Sequence, residues 1–113
     1  MILLAALLSF GWPSVSLEWG PPRPLKEGEF IRRANHCCGS MRPYINGGET
    51  LYVSKWNGQE SLLGKVVATP SNLHQVVAEN DRAVKTSGTA NRSSDGWVQK
   101  KDLLYVVRYA VRN

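Results

Sequence analysis

Residues 73–86 read LHQVVAENDRAVKT, and this stretch predicts a β-hairpin. Its two arms, residues 73–79 and 82–86, are short and rich in alanine and β-branched side chains. Asn80-Asp81 between them is a turn signal, because both side chains can hydrogen-bond the backbone of a tight turn. Two strand-like runs joined by such a turn are typical of antiparallel pairing.

On either side of this hairpin, runs rich in apolar, β-branched and aromatic residues predict strands at residues 50–56, 62–69 and 103–111. Order resumes at residues 97–99, after a polar loop. Residues 26–35 fit neither the strand nor the helix period, so they are predicted as a short helix or an irregular lead-in. The sequence therefore predicts a mainly β domain of short strands with little helix.

The composition is that of a soluble globular protein. The chain has 113 residues, enough for one domain, and 42% hydrophobic against 20% charged residues makes global disorder an unsuitable description. The net charge of +5 weakly favours anionic partners or membrane headgroups. Because the basic residues are scattered, with no block of like charges, we expect no specific nucleic-acid partner.

We predict that the chain has two parts, an apolar segment with a Pro-rich arm at residues 1–24 and a β domain at residues 25–113. Residues 1–12 read MILLAALLSFGW, shorter than the ~20 residues of a membrane span. They could be the apolar core of a secretory signal or a strand or helix packed into the domain. They could also form a hydrophobic contact with a membrane surface or an oligomeric partner. Residues 13–24 hold four of the six prolines, and the tryptophans Trp12 and Trp19 predict that this arm docks on a surface.

The localisation follows from the same segment. The protein is membrane-associated or exported if residues 1–12 act as a signal or anchor, and otherwise soluble or virion-associated.

Cys37 and Cys38 are the two cysteines, and they are adjacent. A bridge between neighbours is strained, so burial or one intermolecular disulfide are the alternatives. With His36 they are too few for a closed zinc site, which needs four ligands, and the other histidine lies at position 74. We expect no metal and no cofactor.

Residues 38–43 read CGSMRP and predict a stiff turn. Gly39 lets the backbone bend sharply, and Pro43 keeps Ser40 out of a regular helix. Such a turn would present the Ser40 hydroxyl as a nucleophile if a base lies within reach. The alternative is an ordinary surface turn.

His74 and Asp95 complete a set of three chemical groups. Alone, His74 would be a strand residue and Asp95 a turn former. Together with Ser40 they supply a hydroxyl, a base that titrates near neutrality, and a carboxylate that orients the base. The chain order is not diagnostic, since such triads occur in several orders.

Three blocks of the sequence resemble the type I signal peptidase family, which shares a wider clan with the self-cleaving SOS repressors. The first block is Gly39-Ser40-Met41-Arg42-Pro43 with Gly47-Gly48-Glu49 and Leu51-Tyr52-Val53, similar to the family's G-S-M-x-P, G-D and strand. The second is Gly64-Lys65-Val66-Val67 and His74-Gln75-Val76-Val77, similar to the G-D-[IV]-V and H-R-V boxes of the archaeal and endoplasmic-reticulum branch. The third is residues 86–104, similar to T-K-G-D-N-N, the later acid and the closing strand.

The resemblance spans about residues 36–112 and implies a serine endopeptidase with that family's β core of short twisted strands. It implies Ser40 as nucleophile, His74 as general base and Asp95 as orienting acid. Backbone N–H groups around Ser40 would hold the oxyanion, and Met41 and Pro43 would lie at the substrate. The substrate would be a peptide bound as an extended strand along an exposed sheet edge, with small side chains in shallow pockets.

The chain also departs from the family pattern. Thr89 replaces the aspartate of T-K-G-D, so one of two carboxylates is missing, and Ser87 replaces its lysine. Glu49 and Lys65 replace the acids of the two G-D turns, and Gln75 replaces the arginine after the histidine.

The alternative function is therefore a non-catalytic structural or interaction module of the same fold, such as a phage virion or assembly component. Small phage-encoded or mobile-element relatives without a membrane anchor fit either function. A self-processing SOS-type switch is disfavoured, because those domains use lysine as base and carry a DNA-binding helix-turn-helix that is not recognised upstream.

Overall fold

The computed structural model describes residues 12–34 and 40–113, which form a mainly β domain, as predicted. The apolar run at residues 1–11 and the predictions for His36, Cys37, Cys38 and Gly39 lie outside the described residues. The described strands are β1 (Glu18–Gly20), β2 (Phe30–Arg33), β3 (Thr50–Ser54), β4 (Val66–Ala68), β5 (Leu73–Glu79), β6 (Ala83–Ser87), β7 (Trp97–Gln99) and β8 (Tyr105–Val111), with a 3₁₀ helix at Lys100–Asp102.

The strands join in one mostly antiparallel sheet in the order β2-β3-β8-β4-β5-β6-β7. The first strand, β1, pairs with the end of β8 in parallel. The longest strands, β5 and β8, have seven residues each, and β8 contacts β3, β4 and β1. This sheet includes β5, which carries His74, and β6, which carries Thr86.

The predicted hairpin at residues 73–86 is confirmed as β5 and β6. The Asn80 side-chain oxygen accepts hydrogen bonds from the N–H groups of Arg82 and Ala83, both at 2.9 Å, and the Asn80 N–H donates to the Ala83 carbonyl at 3.0 Å. This is the Asx-stabilised turn that an asparagine at this position favours. The pairing aligns Gln75 with Ser87 and therefore brings His74 close to the chain that follows β6.

The prediction for residues 26–35 was wrong at residues 30–33, where the structure has a strand, β2, whereas residues 26–29 form the irregular chain that we expected. This strand pairs with β3 in the register Phe30 to Val53 and Arg33 to Thr50. Three of its four side chains are exposed, so the sequence shows no alternation between apolar and polar residues. Only Phe30 packs inward, edge-on against Tyr105 with the ring centroids 6.1 Å apart.

The hydrophobic core occupies both faces of the sheet. Val66 and Val107 belong to one buried cluster, and their chain neighbours Val67 and Val106 belong to another. Successive strand residues point to opposite faces, so each valine pair fills both clusters at once. The paired valines of the sequence therefore mark strands that are covered on both sides, which makes them rigid supports for the site.

Part of the cover comes from the described portion of the Pro-rich arm. The Gln75 side-chain amide donates to the carbonyls of Pro13 at 2.8 Å and Ser14 at 3.0 Å. The Tyr109 hydroxyl donates to the Pro21 carbonyl at 2.7 Å. The arm therefore lies on the domain, while the division of the chain at residue 24 stays a prediction. Within residues 12–34 and 40–113, no helix has the length and apolar character needed to cross a bilayer.

Candidate active site

The three residues predicted to form a triad come from separate elements and approach one another beside Gly88. His74 is the second residue of β5, and Asp95 lies in the loop that leads to β7. Ser40 begins the turn before β3. Gly88 directly follows β6, and this position contacts both Ser40 and His74.

The imidazole of His74 is bound to the carboxylate of Asp95. His74 Nδ1 lies 2.6 Å from Asp95 Oδ2, with the two side chains 13% and 36% exposed. An ionised carboxylate only accepts hydrogen bonds, so this contact assigns the proton to Nδ1 in the neutral ring. His74 Nε2 is then the nitrogen with a lone pair, which is the form that a general base needs.

Asp95 is held in turn by Thr86, the fourth residue of β6. The Thr86 hydroxyl donates to Asp95 Oδ2 at 2.8 Å, and the Asp95 N–H donates to the Thr86 carbonyl at 2.7 Å. In the sequence, Thr86 is only the first residue of the block that is similar to T-K-G-D-N-N. Its contact with Asp95 had no signal in the sequence, because eight residues, most of them in a polar loop, separate the two.

The glycine at position 88 is required by the close approach of Ser40 and His74. A Cβ added to Gly88 would lie 2.7 Å from the Ser40 carbonyl oxygen and 3.2 Å from His74 Nε2. It would also lie 3.4 Å from Ser40 Cβ. The Nε2 of the base and the Cβ of the serine therefore border the same small space, and a larger residue at position 88 would fill it.

The backbone of Ser40 is tied to the chain after Gly88. Its carbonyl accepts hydrogen bonds from the N–H groups of Thr89 at 2.8 Å and Ala90 at 3.1 Å. The Thr89 hydroxyl donates to the Arg42 carbonyl at 2.8 Å. The hydroxyl and the backbone N–H of Thr89 thus fasten the turn that carries Ser40.

The Ser40 hydroxyl donates to the Leu73 carbonyl at 3.4 Å, a long hydrogen bond for a hydroxyl group. Among the described residues, Ser40 Oγ makes no hydrogen bond with His74. Leu73 is the chain neighbour of His74, so the hydroxyl already lies beside the strand that carries the base. Catalytic hydrogen bonds are often loose before substrate binds.

Met41 and Pro43 differ in their burial. Met41 is buried in the core cluster with Ile45 and Leu51, whereas Pro43 is exposed. The Met41 carbonyl closes the turn by accepting hydrogen bonds from the N–H groups of Tyr44 and Ile45. Met41 therefore anchors the turn in the core, and the substrate-binding role of both residues stays a prediction.

A groove of about 320 Å³ opens beside Asp95. It is bordered by Thr86 and by the exposed Trp97, and it gives solvent access to the carboxylate. Within the described part of the chain, no group of three or more histidine, cysteine, aspartate or glutamate side chains is arranged to hold a metal ion.

Comparison of the chain with protein-family models, with curated proteins and with solved structures finds no match. The likeness to signal peptidases therefore depends on the three sequence blocks alone. The geometry around Gly88 stands independently of that likeness.

Proposed function

We propose that this protein is a serine endopeptidase of the signal-peptidase type that cleaves peptides with small side chains before the scissile bond. The observation that carries the proposal is the approach of Ser40 and His74 Nε2 at Gly88, with Asp95 bound to Nδ1 at 2.6 Å. A hydroxyl, an imidazole and a carboxylate in this order are the groups needed for acyl transfer to serine.

In the first step, Ser40 Oγ forms a bond to the carbonyl carbon of the substrate, and its proton passes to His74 Nε2. The carboxylate of Asp95 stabilises the imidazolium that results. Backbone N–H groups around Ser40 would stabilise the oxyanion. The imidazolium then gives its proton to the leaving amine nitrogen as the C–N bond breaks, which leaves an ester on Ser40. Water hydrolyses the ester by the same proton transfers.

The Ser40 hydroxyl has to exchange its long hydrogen bond with the Leu73 carbonyl for one to His74 Nε2. Leu73 and His74 are adjacent in β5, so the hydroxyl starts beside the strand that carries the base. A substrate that crosses the turn supplies the electrophile toward which the hydroxyl rotates.

Among the described strands, β2 lies at an edge of the sheet, where it would offer a binding surface for an extended peptide. It lies at one end of the strand order, with β3 as its neighbour, and Arg33 is a few residues before Ser40 in the chain. Unpaired N–H and C=O groups on an edge strand hydrogen-bond an added strand. The exposed Ile31 gives this edge an apolar contact for a substrate side chain.

The experiment is to incubate the protein with a set of peptides that carry alanine, glycine or serine before a single cleavable bond, and to identify products by mass. We expect Ser40→Ala to abolish cleavage and His74→Gln to reduce it by about 10²- to 10⁴-fold, the usual contribution of a general base. In parallel, a fluorophosphonate should label Ser40, because the Oγ–P bond forms as fluoride leaves.

Matched controls are Ser14→Ala on the arm and Asp81→Asn in the turn between β5 and β6, which alter an exposed hydroxyl and an exposed carboxylate outside the triad. Both should retain full cleavage and labelling. Cleavage that survives Ser40→Ala and His74→Gln would show that the mechanism is wrong.

A second candidate function is that of a non-catalytic interaction module with the same fold. The Ser40 hydroxyl bound to Leu73, and Thr89 in place of an acid, favour it. So do the exposed Trp12 and Trp19 on the arm, which suit docking to another protein. A wild-type protein that neither cleaves the peptides nor reacts with the fluorophosphonate, and that captures peptides unchanged, would favour this function.

A further inference from the structure

The structure assigns a positioning role to Thr86: its hydroxyl fixes the carboxylate of Asp95 so that His74 keeps its proton on Nδ1 and offers Nε2 to the serine. This inference rests on the peptidase function proposed above and adds a fourth residue to its site. Thr86 contacts neither the substrate nor Ser40 in this role. It acts through Asp95 alone.

Asp95 needs external support because it lies in a polar loop and its side chain is 36% exposed. A carboxylate in that position rotates freely unless its oxygens are bound. Thr86 supplies two contacts, one from its hydroxyl to Oδ2 and one from its carbonyl to the Asp95 N–H. Both the backbone and the side chain of Asp95 are therefore fixed by one residue of a strand.

One oxygen of Asp95, Oδ2, accepts the hydrogen bond from Thr86 and also the one from His74. Oδ2 lies 2.8 Å from the Thr86 hydroxyl oxygen and 2.6 Å from His74 Nδ1. An oxygen that accepts from two donors in different directions is held in one place, whereas an oxygen with one donor can swing about it. The hydroxyl therefore sets the direction from which the carboxylate meets the imidazole.

Thr86 is held rigidly enough to fix the position of the Asp95 carboxylate. It is 1% exposed and its backbone pairs with Val76, two residues after His74 in the neighbouring strand. The register of β5 and β6 thus sets the distance between Thr86 and the base. Supporting residues with locked rotamers are what hold a catalytic geometry to within a fraction of an ångström.

The residue type fits this task. Valine would fill the same volume and suit the same strand, but it has no hydroxyl to donate. Serine would keep the donor and lose only a methyl group. Thr86→Val and Thr86→Ser therefore separate the hydrogen bond from the packing.

The test reads the tautomer of His74 directly, so it does not depend on catalysis. The chain has two histidines, and His36→Gln leaves His74 as the single imidazole. In this background, two-bond ¹H–¹⁵N NMR spectra at a pH where the ring is neutral report which nitrogen carries the proton. We expect the Nδ1–H form in the parent and in Thr86→Ser, and a mixture shifted toward Nε2–H in Thr86→Val.

Thr69→Val is a matched control, because Thr69 is also a buried threonine, and its hydroxyl hydrogen-bonds Asn72 rather than Asp95. It should keep the parent tautomer. Circular dichroism and thermal unfolding of each variant establish that the fold is retained.

Peptide cleavage supplies the second measurement. We expect Thr86→Val to lower kcat by about 10- to 100-fold with little change in KM, as for other losses of orientation at a catalytic group. Thr86→Ser should restore most of the rate.

The outcomes separate this inference from the proposed function. A tautomer that changes in Thr86→Val, in a protein that cleaves nothing, supports the positioning role and overturns the peptidase. An unchanged tautomer and an unchanged kcat in folded Thr86→Val overturn the positioning role, whether or not the protein is a peptidase. A parent protein without a preferred Nδ1–H form overturns it as well.

Discussion

Loss of the Glu79 carboxylate should lower stability in a way that depends on pH. Glu79 Oε2 accepts hydrogen bonds from the Lys100 ammonium at 2.8 Å and the Leu62 N–H at 2.9 Å. Its other oxygen accepts from the Ser61 hydroxyl at 2.7 Å. One carboxylate therefore joins the end of β5, the loop before β4 and the 3₁₀ helix after β7. With Glu79→Gln, the buried Lys100 loses its counter-charge.

The size of the effect follows from the pKa of Glu79. Burial by itself raises this pKa, but the hydrogen bonds from Lys100, Leu62 and Ser61 outweigh it and lower the pKa from 4.5 to about 2. A shift of that size corresponds to roughly 3 kcal/mol of folding free energy. Breaking a buried ion pair by removing one partner typically costs about 3–5 kcal/mol, so the two magnitudes agree.

The sign follows from linkage. The pKa is lower in the folded protein, so the carboxylate contributes its full stability above about pH 4.5, and this is lost as the pH falls toward 2. Urea unfolding at pH 7 should show Glu79→Gln less stable than the parent by roughly 3 kcal/mol. At about pH 2 the difference should be much smaller, because the parent has then lost most of the carboxylate's contribution.

Two further variants sharpen the measurement. Glu27→Gln removes an exposed carboxylate and should stay within about 0.5 kcal/mol of the parent. The double variant Glu79→Gln with Lys100→Met should recover part of the loss, because it removes the unpaired buried ammonium. A loss below about 0.5 kcal/mol in Glu79→Gln at pH 7, or a loss that is equal at both pH values, would contradict the role assigned to the Glu79 carboxylate.

Gly88→Ala should abolish peptide cleavage and lower stability by about 1–3 kcal/mol, because the new Cβ meets the Ser40 carbonyl oxygen at 2.7 Å. Gly96→Ala, where a Cβ meets nothing within 4 Å, is the control, and equal activity of the two variants would contradict the packing at Gly88. Gln75→Met should release the arm at a cost of about 1–3 kcal/mol, because its amide no longer binds the Pro13 and Ser14 carbonyls. Hydrogen exchange at the Ser16 amide, which donates to the Gly64 carbonyl, should accelerate in that variant. Unchanged exchange would show that the Gln75 amide does not hold the arm.

The class of the fold and the hairpin of β5 and β6 could be predicted from local signals in the sequence. The signals for β5 and β6 are local: an Asn-Asp turn between two β-branched runs depends on residues within a few positions of one another. No such local signal marks β2, because most of its side chains are exposed and its strand form depends on pairing with β3. A strand that is stabilised mainly by pairing with its neighbour is hard to predict from its own residue types.

The candidate site divides in the same way. The chemical types at Ser40, His74 and Asp95 could be selected from the sequence, because a hydroxyl, an imidazole and a carboxylate are recognisable in any fold. The sequence did not indicate that Thr86 holds Asp95, or that Gly88 leaves the space that Ser40 and His74 share. Gly88 and Ser40 are far apart in the chain, and Thr86 meets Asp95 only through the path of the loop between them. The register of β5 against β6 and the packing of the loops therefore decide these contacts.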